Sequence, residues 1–137
     1  MDAELLLAWL RGDIGPEFQA EIEGALVMIP FVALVEVERR IRELLDSREL
    51  HPFEEDEMRA LLEEMENEVI YPDREIAKNL VERAKTAYRG SGVANLYCEW
   101  LRVLVAAIRR TGASDVRLLT RSPFVARQLG DDAIFLP

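Results

Sequence analysis

The chain has 137 residues, half of them hydrophobic, enough for one domain with a core of its own. Its net charge of −9 argues against coating DNA through a basic surface, though a local basic groove stays open. Cys98 is the only cysteine, which excludes an intrachain disulfide. His51 is the only histidine, so a histidine triad or a zinc site has no support, and it reads as a surface residue. No apolar run approaches the roughly 20 residues of a membrane span. The opening MDAELLLAWLRGD lacks the basic stretch and small-residue cleavage site of a signal peptide, so a cytoplasmic protein is expected.

In chain order, Ala3 to Arg11 reads as a short apolar helix with Asp2 as its N-cap. Gly12 to Pro16 is a break, Pro16 opens a second helix running to about Glu23, and Gly24 stops it. The apolar pentad Ala25 to Ile29 suits a strand covered on both faces, ended by Pro30. A helix to about Asp46 follows, with Val32, Val35, Ile41 and Leu44 turned inward. The segment SRELHPFEE is a loop. Glu54 to Glu66 is an acidic amphipathic helix with Met58, Leu61, Leu62 and Met65 as its inner stripe, its carboxylates a solvated face or a patch for a basic partner.

Glu68 to Tyr71 reads as a short strand ended by Pro72, Asp73 to Tyr88 as a helix, and Arg89 to Gly92 as a turn. Val93 to Arg110 is the most apolar helix and should be buried on several sides, with Tyr97 and Trp100 as core rather than nucleic-acid stacking platforms. Asp115 to Thr120 is a strand. Ser122–Pro123 starts a helix that ends by Gly130, and Ala133 to Leu136 is a last strand. Strands alternating with helices predict an α/β fold with a parallel sheet.

Glu36 is the residue of chemical interest. It sits between Val35 and Val37, one to two turns beyond the carboxyl end of the expected strand, where open α/β sheets bind ligands. A carboxylate buried there would need a partner or a cation. The alternative is an exposed helix ion pair with Arg39 or Arg40.

Three stretches resemble PIN-like domains, small α/β nucleases of RNA processing and of toxin–antitoxin pairs: DAELLLAWLRGD (Asp2–Asp13), IPFVALVEV (Ile29–Val37) and VLVAAIRRTGASDVRLLTRSPFVARQLGDDAIFL (Val103–Leu136). The resemblance implies one domain over residues 1–137, a three-layer α/β/α fold with a small, mostly parallel central sheet. It also implies a Mg²⁺- or Mn²⁺-dependent ribonuclease whose carboxylates hold the metal. Carried over residue by residue, Asp2 matches the first acid and Glu36 the second. Arg102 stands at the third position, with Glu99 the nearest acid one turn earlier, and Ser122 replaces the fourth.

The implied metal ligands and catalytic residues are therefore Asp2, Glu36 and Glu99. Ser122 would add a hydroxyl or water-mediated contact, and Arg102 or Arg121 a phosphate contact. Asp2 as a helix N-cap is an equal reading, and an inward Arg102 would leave a salt-bridged site without metal. The family's first, central strand precedes the first acid, and here only Met1 does, so either the sheet is built without it or another element fills the gap. The resemblance implies RNA as partner. A binding or scaffold module without nuclease activity, taking a protein partner or a second copy, is the competing expectation.

Overall fold

Caps and breakers set most helix ends in the computed structural model, which describes residues 1–66, 70–73, 83–84 and 93–137. Among the described residues six α-helices run in order: α1 (Ala3–Leu10), α2 (Pro16–Ile22), α3 (Phe31–Asp46), α4 (Pro52–Glu66), α5 (Val93–Arg110) and, after the first strand, α6 (Pro123–Leu129). Strands β1 (Leu118–Thr120) and β2 (Ala133–Phe135) pair in parallel, Leu118 opposite Ala133 and Thr120 opposite Phe135. The chain is mixed α/β and mostly helical. No helix among the described residues is long and apolar enough to cross a membrane.

The cap chemistry is specific. Asp2 accepts from the Leu5 N–H at 3.0 Å and starts α1, and Ser122 accepts from the Val125 N–H at 3.3 Å and starts α6 with Pro123 in its first turn. Each satisfies one of the amides a helix start leaves without an intrahelical partner. Pro16 opens α2, and Gly24 takes the left-handed conformation (φ 72°) just after it, where a Cβ would be strained. Pro30, before α3, has no side-chain acceptor to offer. Asp73 supplies it from a distance, accepting from Phe31 N–H at 2.5 Å and Val32 N–H at 3.4 Å.

Two apolar clusters make the core. α1 packs on α3, α4 and β1, so all of its apolar residues but the half-buried Trp9 are buried, Leu6 completely. Ile29, Ala33, Val37 and Ile41 face it with no exposed surface. Burying each large aliphatic side chain of this kind contributes about 1.5–3 kcal/mol. The second cluster joins Cys98, Leu101 and Val105 of α5 to Leu118, Val125 and Leu129.

Backbone pairing reaches past the two strands. Ile70 pairs with Met28 in a parallel bridge, the Met1 amino group donates to the Met28 carbonyl at 2.7 Å, and the Asp2 N–H donates to the Leu119 carbonyl at 3.0 Å. A lateral row of main-chain bonds therefore runs Ile70, Met28, Met1–Asp2, Leu119, Ile134.

Several expectations are corrected. Ala25–Ile29 is not a strand covered on both faces: among the described residues only Met28 makes a bridge, and Leu26 is 67% exposed. Ile70 lies in the expected strand 68–71, but residues 67–69 lie outside the described residues. The inner stripe of α3 is Ala33, Val37 and Ile41, set by contact with α1, which leaves Val35 exposed and Val32 and Leu44 half-buried.

The expected loop 47–55 is shorter, because α4 begins at Pro52. His51 caps it: its Nδ1 accepts from the Phe53 N–H at 3.0 Å, while Glu54 accepts from the His51 N–H at 2.8 Å, a reciprocal capping box. His51 is exposed as expected, but it works as a helix cap. Leu61 faces out from α4 and only Met58, Leu62 and Met65 face in. Strand β1 starts three residues later than expected, since Asp115 is left-handed at φ 54°. The expected helix 73–88 and turn 89–92 lie outside the described residues apart from Asp73, Arg83 and Ala84.

Candidate functional site

The predicted acids border one corner of the fold, but each is already engaged. Asp2 caps α1 and is fully buried where α1 begins beside the end of β1. One carboxylate oxygen accepts from Leu5 N–H and the other from the hydroxyl of Thr120, which is also fully buried. Thr120 in turn accepts from the Ser122 N–H at 2.9 Å. Burial pushes the Asp2 carboxyl above its ordinary range, against the pull of the Thr120 and Leu5 hydrogen bonds.

Tyr97 of α5 closes this corner. Its hydroxyl accepts from the Ala3 N–H at 3.0 Å, next to the Asp2 cap. Burial pushes the phenol upward, and the charges of Asp2 and Glu36 add to it. Cys98, one residue on, is pushed up by burial and by the charges of Glu99 and Asp2, while Arg102 opposes.

The predicted acids do not converge on a common point. Glu36 is held on the surface of α3 by Arg39, whose Nε donates at 3.0 Å; this is the exposed ion pair rather than the buried acid. Glu99 pairs with Arg102, which also donates to the Gln128 carbonyl and so ties α5 to α6. Arg121 donates to both the carbonyl and the carboxylate of Asp13 at 2.7 Å, closing the turn after α1. Ser122 is an N-cap, its oxygen committed to Val125. Among the described residues no three His, Cys, Asp or Glu side chains are grouped so that they could hold a metal ion.

Tested against a divalent cation, the donor set does not fit as it stands. Both Asp2 oxygens are used and out of reach of solvent, and Glu36 and Glu99 each face a guanidinium that would have to leave. Hard cations need free oxygen ligands.

Sequence reasoning missed three residues. Thr120 orients Asp2, and its signal was a threonine at a strand end. Tyr97 read as core alone, but its hydroxyl reaches the helix start. Asp73 is fully buried, accepts from two α3 amides, and takes the Trp100 indole N–H at 3.1 Å. Its partners are 42, 41 and 27 residues away in sequence, so no local pattern could reveal them.

No protein-family model matches the chain, and no curated protein or solved structure is significantly similar to it.

Proposed function

We propose that the chain is a PIN-like α/β domain whose acidic corner is occupied by internal ion pairs, and that it works as a binding module rather than a metal-dependent nuclease. The observation carrying this reading is Arg102, which sits where the resemblance expects an acid and spends its guanidinium on Glu99 and the Gln128 carbonyl. The lateral row from Ile70 through Met1–Asp2 to Ile134 supports a central parallel sheet of PIN-like order, with helices on both faces as the three-layer arrangement.

The partner surface on this reading is the outer face of α4. There Glu54, Glu57, Glu63 and Glu64 stand exposed beside Phe53 and Leu61, which suits a basic amphipathic protein segment. A cation that binds the native state must raise its stability, by about 2.7 kcal/mol at a hundred times its Kd. The expected result is a melting temperature unmoved by Mn²⁺ in the parent chain, and raised by Mn²⁺ in Arg102→Asp, where the pairing is removed and an acid restored. A Mn²⁺-dependent rise in the parent chain that disappears in Glu36→Gln would overturn the reading.

A second reading is a Mg²⁺- or Mn²⁺-dependent ribonuclease, with Asp2, Glu36 and Glu99 as ligands, Ser122 beside them, and Arg102 and Arg121 on phosphate. It draws on one observation: Asp2 sits at the end of β1, its N–H donating to the Leu119 carbonyl and its carboxylate accepting from the Thr120 hydroxyl. Ligands of α/β sheets sit at such ends. It requires Arg39 and Arg102, both partly exposed, to swing away. RNA cleavage that needs Mn²⁺ and is lost in Glu36→Gln would establish it.

A further inference from the structure

Two exposed helix faces of opposite charge lie on different parts of the fold. The first is the outer face of α4. Phe53 is 65% exposed there and Leu61 42%, with Ala60 in line with Phe53 two turns along the helix. Asp56, Glu57 and Glu64 stand exposed on both sides of that apolar line. Arg59, the only cation of α4, is turned aside to Glu38 and Glu55.

The second face is built by α5 and α6. α6 turns Phe124, Arg127 and Gln128 outward, with Phe124 40% exposed. Arg102 donates to the Gln128 carbonyl and Arg109 pairs with Asp132, which sets the arginines of α5 beside the end of α6. Arg110 and Arg127 are exposed and make no ion pair among the described residues, and the same is true of Glu57 and Glu64 across the molecule.

The segregation of charge is what separates these faces from an ordinary solvated surface, which mixes both signs. Residues 52–66 hold seven carboxylates and one arginine. Residues 93–130 hold six arginines, two carboxylates and no lysine, in a chain whose net charge is −9. The faces do not neutralise each other within one chain. α4 packs on α1, α6 packs on α5 and both strands, and among the described residues no ion pair joins the two regions.

We propose that the occupant of the α4 face is the α5–α6 face of a second copy of this chain. The inference rests on the binding-module reading and gives its basic amphipathic segment an identity. An exposed phenylalanine lies at each face, Phe53 on one and Phe124 on the other, so the contact buries apolar surface while the carboxylates meet arginines. Relief of like-charge repulsion on each face adds to the attraction. The two faces differ, so the contact is made twice in a closed pair or repeats head to tail.

Sedimentation of the whole chain at about 0.2 mM tests this. In about 20 mM salt the weight-average mass is expected to be at least ~1.5 times the 15.7 kDa of one chain, and to return to 15.7 kDa in about 1 M salt, where the Debye length is about 3 Å. Glu57→Lys with Glu64→Lys, and separately Arg110→Glu with Arg127→Glu, should each give a monomer at low salt with a melting temperature close to the parent's. Each variant then carries two faces of one sign. An equimolar mixture offers complementary faces again and should recover the larger mass. A parent that stays at 15.7 kDa at low salt, a variant that associates by itself, or a mixture that stays monomeric would overturn the proposal. A fluorescent peptide of Leu-Lys-Lys-Leu repeats separates this failure from that of the binding-module reading. Bound by a monomeric parent and released by Glu57→Lys with Glu64→Lys, it would end self-pairing alone; bound by neither chain, it would end both.

Discussion

Asp2 combines a helix cap with a buried charge, and the two have opposite effects on stability. The cap contributes at every pH at which an oxygen can accept from Leu5. The charge does not: the folded state raises the Asp2 carboxyl above its ordinary 3.8 because burial disfavours the ionised form. The stability tied to that proton is complete below 3.8 and is lost as pH rises through the folded value. Asp2→Asn keeps an acceptor and removes the charge. It is expected to stay within about 1 kcal/mol of the parent at pH 7 and to flatten the decline above pH 4, whereas Asp2→Ala should lose about 1–3 kcal/mol. Urea unfolding at a series of pH values distinguishes the three chains. At this scale the sequence exposed the cap, since an acid before an apolar helix is a local pattern. It could not expose Thr120, 118 positions away, as the second partner.

At the scale of elements, α3 depends on a residue outside itself. Pro30 provides no cap, and Asp73 bonds the first two α3 amides while holding the Trp100 indole of α5. One carboxylate therefore fixes the start of α3 relative to α5. Asp73→Ala is expected to cost about 1–3 kcal/mol, because it removes the one acceptor that donors on two helices share. Tryptophan fluorescence should report a changed Trp100 environment at denaturant concentrations where the parent is still folded. A variant as stable as the parent would mean that water or another acceptor replaces the carboxylate. Helix starts at Pro16 and Pro123 were legible because proline and a capping residue act within one turn. The face of α3 was not, because Val32, Val35 and Val37 are equivalent until α1 selects Val37.

For the molecule as a whole, the row from Ile70 to Ile134 is joined at its centre by two residues rather than by a strand. The buried Met1 ammonium then makes stability depend on pH near neutrality. Its folded value of about 6 lies below its ordinary 8.0, so the unfolded chain binds the proton more tightly between those limits. Stability is expected to fall as pH drops from 8 to 6 and to level off below, by about 1.4 kcal/mol per unit at most. Acetylating the amino group should remove that slope. A slope unchanged by acetylation would assign it to another group.

By itself the sequence determined the order of the described helices, the last two strands, and the caps and breakers at Asp2, Pro16, Gly24 and Ser122–Pro123, since these rest on periodicity and on turn chemistry within a few residues. Only the tertiary structure decided which acids are free. Glu36 belongs to Arg39, Glu99 to Arg102, and Asp2 to Thr120, because a carboxylate takes the nearest donor in space once the backbone has placed it.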